Sequence, residues 1–302
     1  MQPCSRRNPA RRYIFSTLVP LLAGVCLLFL CVSWFAVPKA MNGGTKSAAN
    51  VEGCFPSHPQ TIEALAIMKS KVVQEPMLMD PSKRWPGMQA FYDDIWTESR
   101  KRVRMFNFQS SDEAKYFVDF VHAKAPCVGR DVMAEKLLSL RYPQCKFLGA
   151  DPDGGVNEPI YLSVPNSRFV EIAVAGKSGT YEGSFLQRNI TYMKESRYHI
   201  GIIDFLQKYN HEEVIDLLII DNEGGEFGIF DVLNDEYDKL PTICQMNVEI
   251  HNPPDYGISY QKFYSGFDKL VLAGRFIVLN LKAPRLFFMN IVDEACVKKF
   301  LC

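Results

Sequence analysis

The sequence predicts an α/β chain whose main body is a doubly wound, mostly parallel sheet of nucleotide-binding type, preceded by a helical extension and an N-terminal membrane anchor. Three observations predict it. After residue 125, short apolar runs alternate with stretches of helical periodicity. One of those runs, "VIDLLIID", is nearly continuous in apolar residues, as a strand covered on both faces must be. Residues 13–37 form an apolar segment without a charge, long enough to cross a bilayer.

The anchor sets the frame for the rest. Arg6, Arg7, Arg11 and Arg12 precede residues 13–37, while only Lys39 and Lys46 follow closely, so residues 1–12 are expected to be a cytosolic tail and the remainder lumenal. The segment is longer than the apolar core of a cleaved signal peptide. The expectation is a single-pass type II membrane protein of the secretory pathway, in the Golgi, touching the membrane through residues 13–37; a cleaved signal peptide leads into the same pathway. Lys and Arg total 34 against 34 Asp and Glu, so no global field recruits nucleic acid.

Cysteines fit that compartment. Cys54, Cys127, Cys145, Cys244, Cys296 and Cys302 lie on the expected lumenal side, an even set that permits full pairing. Cys296 and Cys302, which close a short C-terminal loop, are the preferred pair. No cysteine or histidine spacing suggests zinc, and no metal is expected from these residues. "NIT" at Asn189 is an N-glycosylation sequon that the orientation makes accessible to the modifying machinery.

Residues 38–57 are small and polar, as a stem between anchor and domain should be. Residues 58–124 read as a helical extension packed on the core; within it "DEAKYFVDFVHAK" places Phe117, Phe120 and Val121 at helical spacing. Residues 125–302 form the α/β domain. "DVMAEKLLSLRYP" predicts a helix with Met133, Leu137 and Leu140 on one face and Asp131 as its N-cap. "CKFLGADP" is a strand stopping at Asp151, "RFVEIAVAG" a second strand, "IGIIDFLQKY" a helix and "VIDLLIID" a central strand. "ICQMNVEIHN" follows as a strand with Met246, Val248 and Ile250 on one side and Asn247, Glu249 and His251 on the other. "YQKFYSGFDKLVLAG" gives a helix with Tyr260, Phe263, Phe267 and Leu270 as its stripe, and "RFIVLNL" with "RLFFMNIV" a closing strand pair.

Open sheets of this kind bind ligands outside the C-terminal ends of their strands. The polar residues there are residues 129–131, Asp151, Asp221 with Glu223, Glu249 and His251. Asp151 stands where a nucleoside ribose is held by its hydroxyls, although "DP" also begins an ordinary turn. In "LLIIDNEGGEFGIF" an apolar run ends in three carboxylates within six positions. Asp221 leaves the strand at the ligand edge, Asn222 and Glu223 line the crevice, and Gly224 and Gly225 let the chain turn into a helix. Glu226 is expected to favour that helix start through the helix dipole.

"CKFLGADP", "RFVEIAVAGKSGTYEGSF", "VIDLLIIDNEGGEFGIFDVL" and "ICQMNVEIH", in this order, resemble the FkbM-type methyltransferase domain, in particular its membrane-anchored branch. That family reads "KIDVEGAE" where this chain has "IIDNEGGE", and the resemblance runs from about residue 127 to the C-terminus. It implies a class I methyltransferase (Rossmann-like) fold, S-adenosyl-L-methionine as cofactor, and methyl transfer to a hydroxyl of an acceptor, a glycan or small molecule. On that reading Gly129, Asp131, Asp151 and Asp221 hold the cofactor, and Glu223, Glu249 or His251 orients the acceptor and takes its proton. The family's glycine-rich turn appears here as "CVGRD", with Cys127 at the first glycine position, so that only Gly129 and Asp131 match. Two other readings stay open. One is a type II glycosyltransferase holding a divalent metal and a nucleotide-sugar diphosphate on Asp151-x-Asp153; the other, motivated by Cys127, is a lumenal protein that keeps the fold without turnover.

Overall fold

The computed structural model describes residues 27–32, 105–109, 114–118, 132–186, 192–282 and 284–301. Its strands are β1 (Leu27–Val32), β2 (Met105–Gln109), β3 (Ala114–Val118), β4 (Lys146–Asp151), β5 (Ser167–Glu171), β6 (Ala173–Ala175) and β7 (Gly179–Leu186), then β8 (Tyr192–Gly201), β9 (Val214–Ile215), β10 (Leu217–Asp221), β11 (Thr242–Ile243), β12 (Gln245–Glu249), β13 (Phe276–Lys282) and β14 (Arg285–Asn290). The α-helices are α1 (Met133–Arg141), α2 (Gly154–Tyr161), α3 (Ile202–Tyr209), α4 (Glu226–Asp235), α5 (Tyr260–Leu272) and the short α6 (Glu294–Cys296).

Seven strands form the main sheet, in the order β13-β14-β12-β10-β1-β4-β5. β4 pairs with β5, and β10 with β12, in parallel, each pair joined through a helix, α2 or α4. The period-2 geometry of a strand sends alternate residues to opposite faces. Leu218 and Ile220 of β10 therefore join one core with residues of α3, α4 and α5, whereas Leu217 and Ile219 join a second core with α1, Tyr161 of α2 and the C-terminal turn. A strand between two such layers needs an apolar residue at every position, which is why "LLII" shows no alternation. β14 runs antiparallel to both β12 and β13, so the closing pair is the hairpin the sequence predicts.

Several expectations are corrected. Leu27–Val32, six residues of the expected anchor, form β1, antiparallel between β4 and β10. Among the described residues no helix is long and apolar enough to cross a membrane. An uncharged apolar run suits either a bilayer or the centre of a doubly covered sheet, and hydropathy alone does not separate the two. The other residues of 13–37, and Asn189, lie outside the described residues. Ala114–Val118 is a strand paired with Met105–Gln109 and not a helix; a run this short fits both periods.

"RFVEIAVAG" is divided at Ile172 between β5 of the main sheet and β6 of a three-stranded sheet with β8 and β7. "VIDLLIID" is divided at Asp216, which is fully buried and accepts a bond from Lys299 Nζ at 2.5 Å. Helix α1 turns Ala134, Glu135 and Leu138 inward and leaves Leu140 74% exposed, so the predicted stripe is rotated. Asn247 of β12 is buried with its neighbours and does not face solvent. Cys296 is bonded to Cys244, 52 residues away, and not to Cys302, because the C-terminal turn packs back against the start of β12. Cys145 is a buried free thiol, which ends the expectation of full pairing; Cys54, Cys127 and Cys302 lie outside the described residues.

Candidate active site

β4 and β10 both run antiparallel to β1 and so parallel to each other. Their last residues, Asp151 and Asp221, end on the same edge of the sheet, two strand spacings or about 10 Å apart. The predicted cofactor residues Gly129 and Asp131 lie outside the described residues.

Asp151 is 2% exposed, and its Oδ1 accepts the backbone N–H of Asp153 at 2.7 Å. Burial pushes its carboxyl up to about 7, against hydrogen bonds from the Asp153 backbone and Asn157. Arg197 Nη1 donates to Pro152 O at 3.1 Å and secures the turn from the other side. The Asp151-x-Asp153 pair is thus a folded turn leading into α2.

After β10 the chain turns abruptly. Glu223 has φ 44° and Gly224 φ 96°. The left-handed region costs a residue with a Cβ about 1–2 kcal/mol, and such strain persists where the surroundings over-determine it. Here they do: the side-chain amide of Asn222 donates to Val174 O at 2.7 Å, and Gly225 N–H donates to Asn222 O at 2.7 Å. A Cβ on Gly224 would stand 2.3 Å from the Tyr256 ring, and one on Gly225 would stand 2.4 Å from the Asn222 side-chain nitrogen. The two glycines between the carboxylates are therefore required, one by conformation and contact, the other by contact alone.

The turn places Glu223 in the wall of a cavity of about 730 Å³, which Phe227, Tyr256, Lys194, Lys262 and His199 also line. Tyr256 donates its hydroxyl to Glu223 Oε2 at 3.1 Å. Burial pushes Glu223 above the ordinary carboxylate range, opposed by the charge of His251 and the Tyr256 bond.

Glu226 begins α4 as expected, but its carboxylate is buried and turned inward. Its Oε1 accepts the backbone N–H of His251 at 2.9 Å and lies 3.0 Å from His251 Nδ1. Its Oε2 accepts the N–H of Gly224 at 2.8 Å. His251 Nε2 then stands 3.5 Å from Glu223 and 3.8 Å from Asp221. Burial alone would lower the imidazole, yet the bond and charge of Glu226, with Asp221 and Glu223, outweigh it and carry His251 up to about 9.

Glu249, the remaining predicted base, is the cross-strand neighbour of Arg285 and accepts a short bond from its guanidinium, which also lies 3.9 Å from Asp221. It is an ion-pair partner at rest. Asp221, Glu249 and His251 bring one ligand atom each within 4.8 Å of one another. Arg285 pairs with both carboxylates of this group, and no metal is assigned to it.

The structure thus joins Asp221, Glu223, Glu249 and His251 in one cluster and sets Asp151 across the same edge. Sequence reasoning missed the inward turn of Glu226, the donor Tyr256 and the counter-charge Arg285. An Arg opening the strand after β13 is a usable signal for a cross-strand partner. Nothing in "PPDYG" points Tyr256 at Glu223.

Residues 113–273, more than half of the chain, match the family model described as Methyltransferase FkbM domain. No curated protein and no solved structure matches the chain. The matched span holds Asp151, the whole β10–α4 turn and His251, and the mixed α/β architecture agrees with a methyltransferase-like domain. The chain is a member of the FkbM methyltransferase domain family.

Proposed function

We propose that the chain is an S-adenosyl-L-methionine-dependent methyltransferase that O-methylates a hydroxyl of a glycan or small molecule in the lumen of the secretory pathway. The observation that carries this reading is Glu223, held in a strained left-handed turn at a strand end, in the wall of a cavity, in a chain of a methyltransferase family. Asp151 suits the ribose of such a donor, since it ends a parallel strand and keeps acceptor capacity beside its bond from Asp153. Asp221 closes the other side of the same edge.

When bound, S-adenosylmethionine supplies a methyl group on a sulfonium sulfur that keeps the bonding pair as the methyl leaves. Glu223 takes the proton released as the acceptor oxygen forms its new bond to carbon. Tyr256 stays protonated, because burial and the Glu223 charge push it up, and its bond aims the carboxylate. Phe227 and Tyr256 offer aromatic faces, and Lys194 and Lys262 polar groups, a mixed wall suited to a hydroxylated ring. The lumenal location is supported by the Cys244–Cys296 disulfide, which persists in an oxidising compartment.

Calorimetry of the full chain with S-adenosylhomocysteine, followed by a methyl-labelled donor screen over hydroxylated glycans and small molecules, tests the proposal. Binding is expected, weakened roughly 10- to 100-fold in Asp151→Ala by loss of charge-assisted hydrogen bonds. A wild type that binds manganese with a nucleotide sugar in place of S-adenosylhomocysteine restores the glycosyltransferase reading, and one that binds no donor supports the non-catalytic one.

A further inference from the structure

We propose that Glu226 is a positioning residue: through His251 it keeps Glu223 in the form that accepts a proton from the acceptor. This rests on the methyl-transfer reading above. Glu226 is 0% exposed, and each of its oxygens has a fixed partner. Oε1 takes the His251 backbone N–H at 2.9 Å and faces Nδ1 at 3.0 Å, and Oε2 takes the Gly224 N–H at 2.8 Å. One buried carboxylate therefore ties the turn after β10 to the segment after β12.

The consequence for His251 is orientational and electrostatic. With Nδ1–H committed to Glu226, the other nitrogen must face Glu223, at 3.5 Å. Glu223 lines the cavity, and neither His251 nor Glu226 does. The order from interior to cavity is Glu226, His251, Glu223. A protonated imidazole beside Glu223 opposes the effect of burial and favours its ionised form, the only form able to accept a proton, whereas the charges of Glu226 and Glu249 push Glu223 the other way. His251 is faced by Asp221, Glu223 and Glu226 from the β10–α4 segment, and by the Tyr256 ring, edge-on at 5.9 Å, from the segment after β12. Glu249, at the end of β12, brings a carboxylate oxygen within 4.8 Å of the ring, and it is paired with Arg285 of β14. Of the three carboxylates from the β10–α4 segment Glu226 is the closest to the His251 ring, at 3.0 Å against 3.5 Å for Glu223 and 3.8 Å for Asp221.

A purely structural role, stapling two loops, would not raise His251 above an ordinary imidazole. The two roles separate in a side-chain NMR titration of the full chain with labelled histidine rings and glutamate carboxyls, assigned with His251→Asn and Glu223→Gln. The wild-type imidazole is expected to titrate near about 9. In Glu226→Gln its midpoint should fall by at least about one pH unit, in a chain that remains folded by circular dichroism. An unchanged His251 midpoint in folded Glu226→Gln overturns the inference. If that variant does not fold, the wild type decides: a His251 midpoint at or below 6.5 overturns the inference. The labelled-donor screen keeps the two claims apart. A wild type that transfers methyl groups but shows an unchanged His251 midpoint in Glu226→Gln refutes this inference alone, whereas one that transfers none refutes the proposed function and with it this role.

Discussion

Asp151→Asn should make the protein more stable at pH 8 while weakening donor binding. Asp151 ends β4 with 2% of its surface exposed, and its carboxyl is pushed from 3.8 to about 7 by burial. A folded pKa raised above the unfolded value means that the folded state holds the proton more tightly, so stability falls as pH rises from about 4 to about 7. At about 1.4 kcal/mol per pH unit of difference, the ionised carboxylate costs the folded state about 4 kcal/mol above pH 7. The same linkage gives about 2 kcal/mol at pH 5 and almost nothing at pH 3. Asparagine keeps the shape and an oxygen for the Asp153 N–H, and never ionises. Urea denaturation of wild type and variant at pH 5 and pH 8 is therefore expected to show a gain for Asp151→Asn that grows with pH. A variant less stable than wild type at pH 8, or a difference independent of pH, would refute the reasoning. An acid kept at such a cost is expected where a ligand uses it, so the stabilised variant should also bind S-adenosylhomocysteine more weakly.

The disulfide and the glycine turn give two further tests. Cys244→Ala opens a loop closed over 52 residues and should lower stability by about 4 kcal/mol in a denaturant titration. Non-reducing peptide mapping should link Cys244 with Cys296 and leave Cys145 open to alkylation after unfolding. Gly224→Ala adds a Cβ 2.3 Å from the Tyr256 ring at φ 96°, and should cost about 2–5 kcal/mol from backbone and overpacking together. Gly257→Ala, at φ 71° with nothing within 4 Å, should cost only the backbone share of about 1–2 kcal/mol. Equal losses in the two variants would mean that the Tyr256 contact carries no weight.

What was legible in the sequence follows from which interactions are local. β10, the helices α3 and α5, and the closing hairpin are written in period and in apolar continuity, and the carboxylates at the end of β10 stand out because they interrupt such a run. The division of "RFVEIAVAG" at Ile172 depends on which sheet each half joins, and a strand carries no local mark of its partner. The apolar run at Leu27–Val32 fits both a bilayer and a sheet interior, so its place as β1 is fixed by neighbours far away in sequence. The same holds at the site. Glu226 opens a helix, and a carboxylate there already has a local explanation in the helix dipole. Its bond to His251 crosses 25 residues and exists only once β10 and β12 lie side by side. Cys296 pairs with Cys244 just before β12, 52 residues away, for the same reason, where proximity in sequence favoured Cys302.

The most direct test of the account is methyl transfer by Glu223→Gln, measured with methyl-labelled S-adenosylmethionine on an acceptor that the wild type modifies. Glutamine keeps the shape of the side chain in the turn and still accepts the Tyr256 hydroxyl bond, but it takes no proton. The account predicts turnover lowered by roughly 100-fold or more, the scale for loss of a general base, with S-adenosylhomocysteine affinity nearly unchanged. Wild-type turnover in Glu223→Gln, with loss instead in Glu249→Gln, would contradict it.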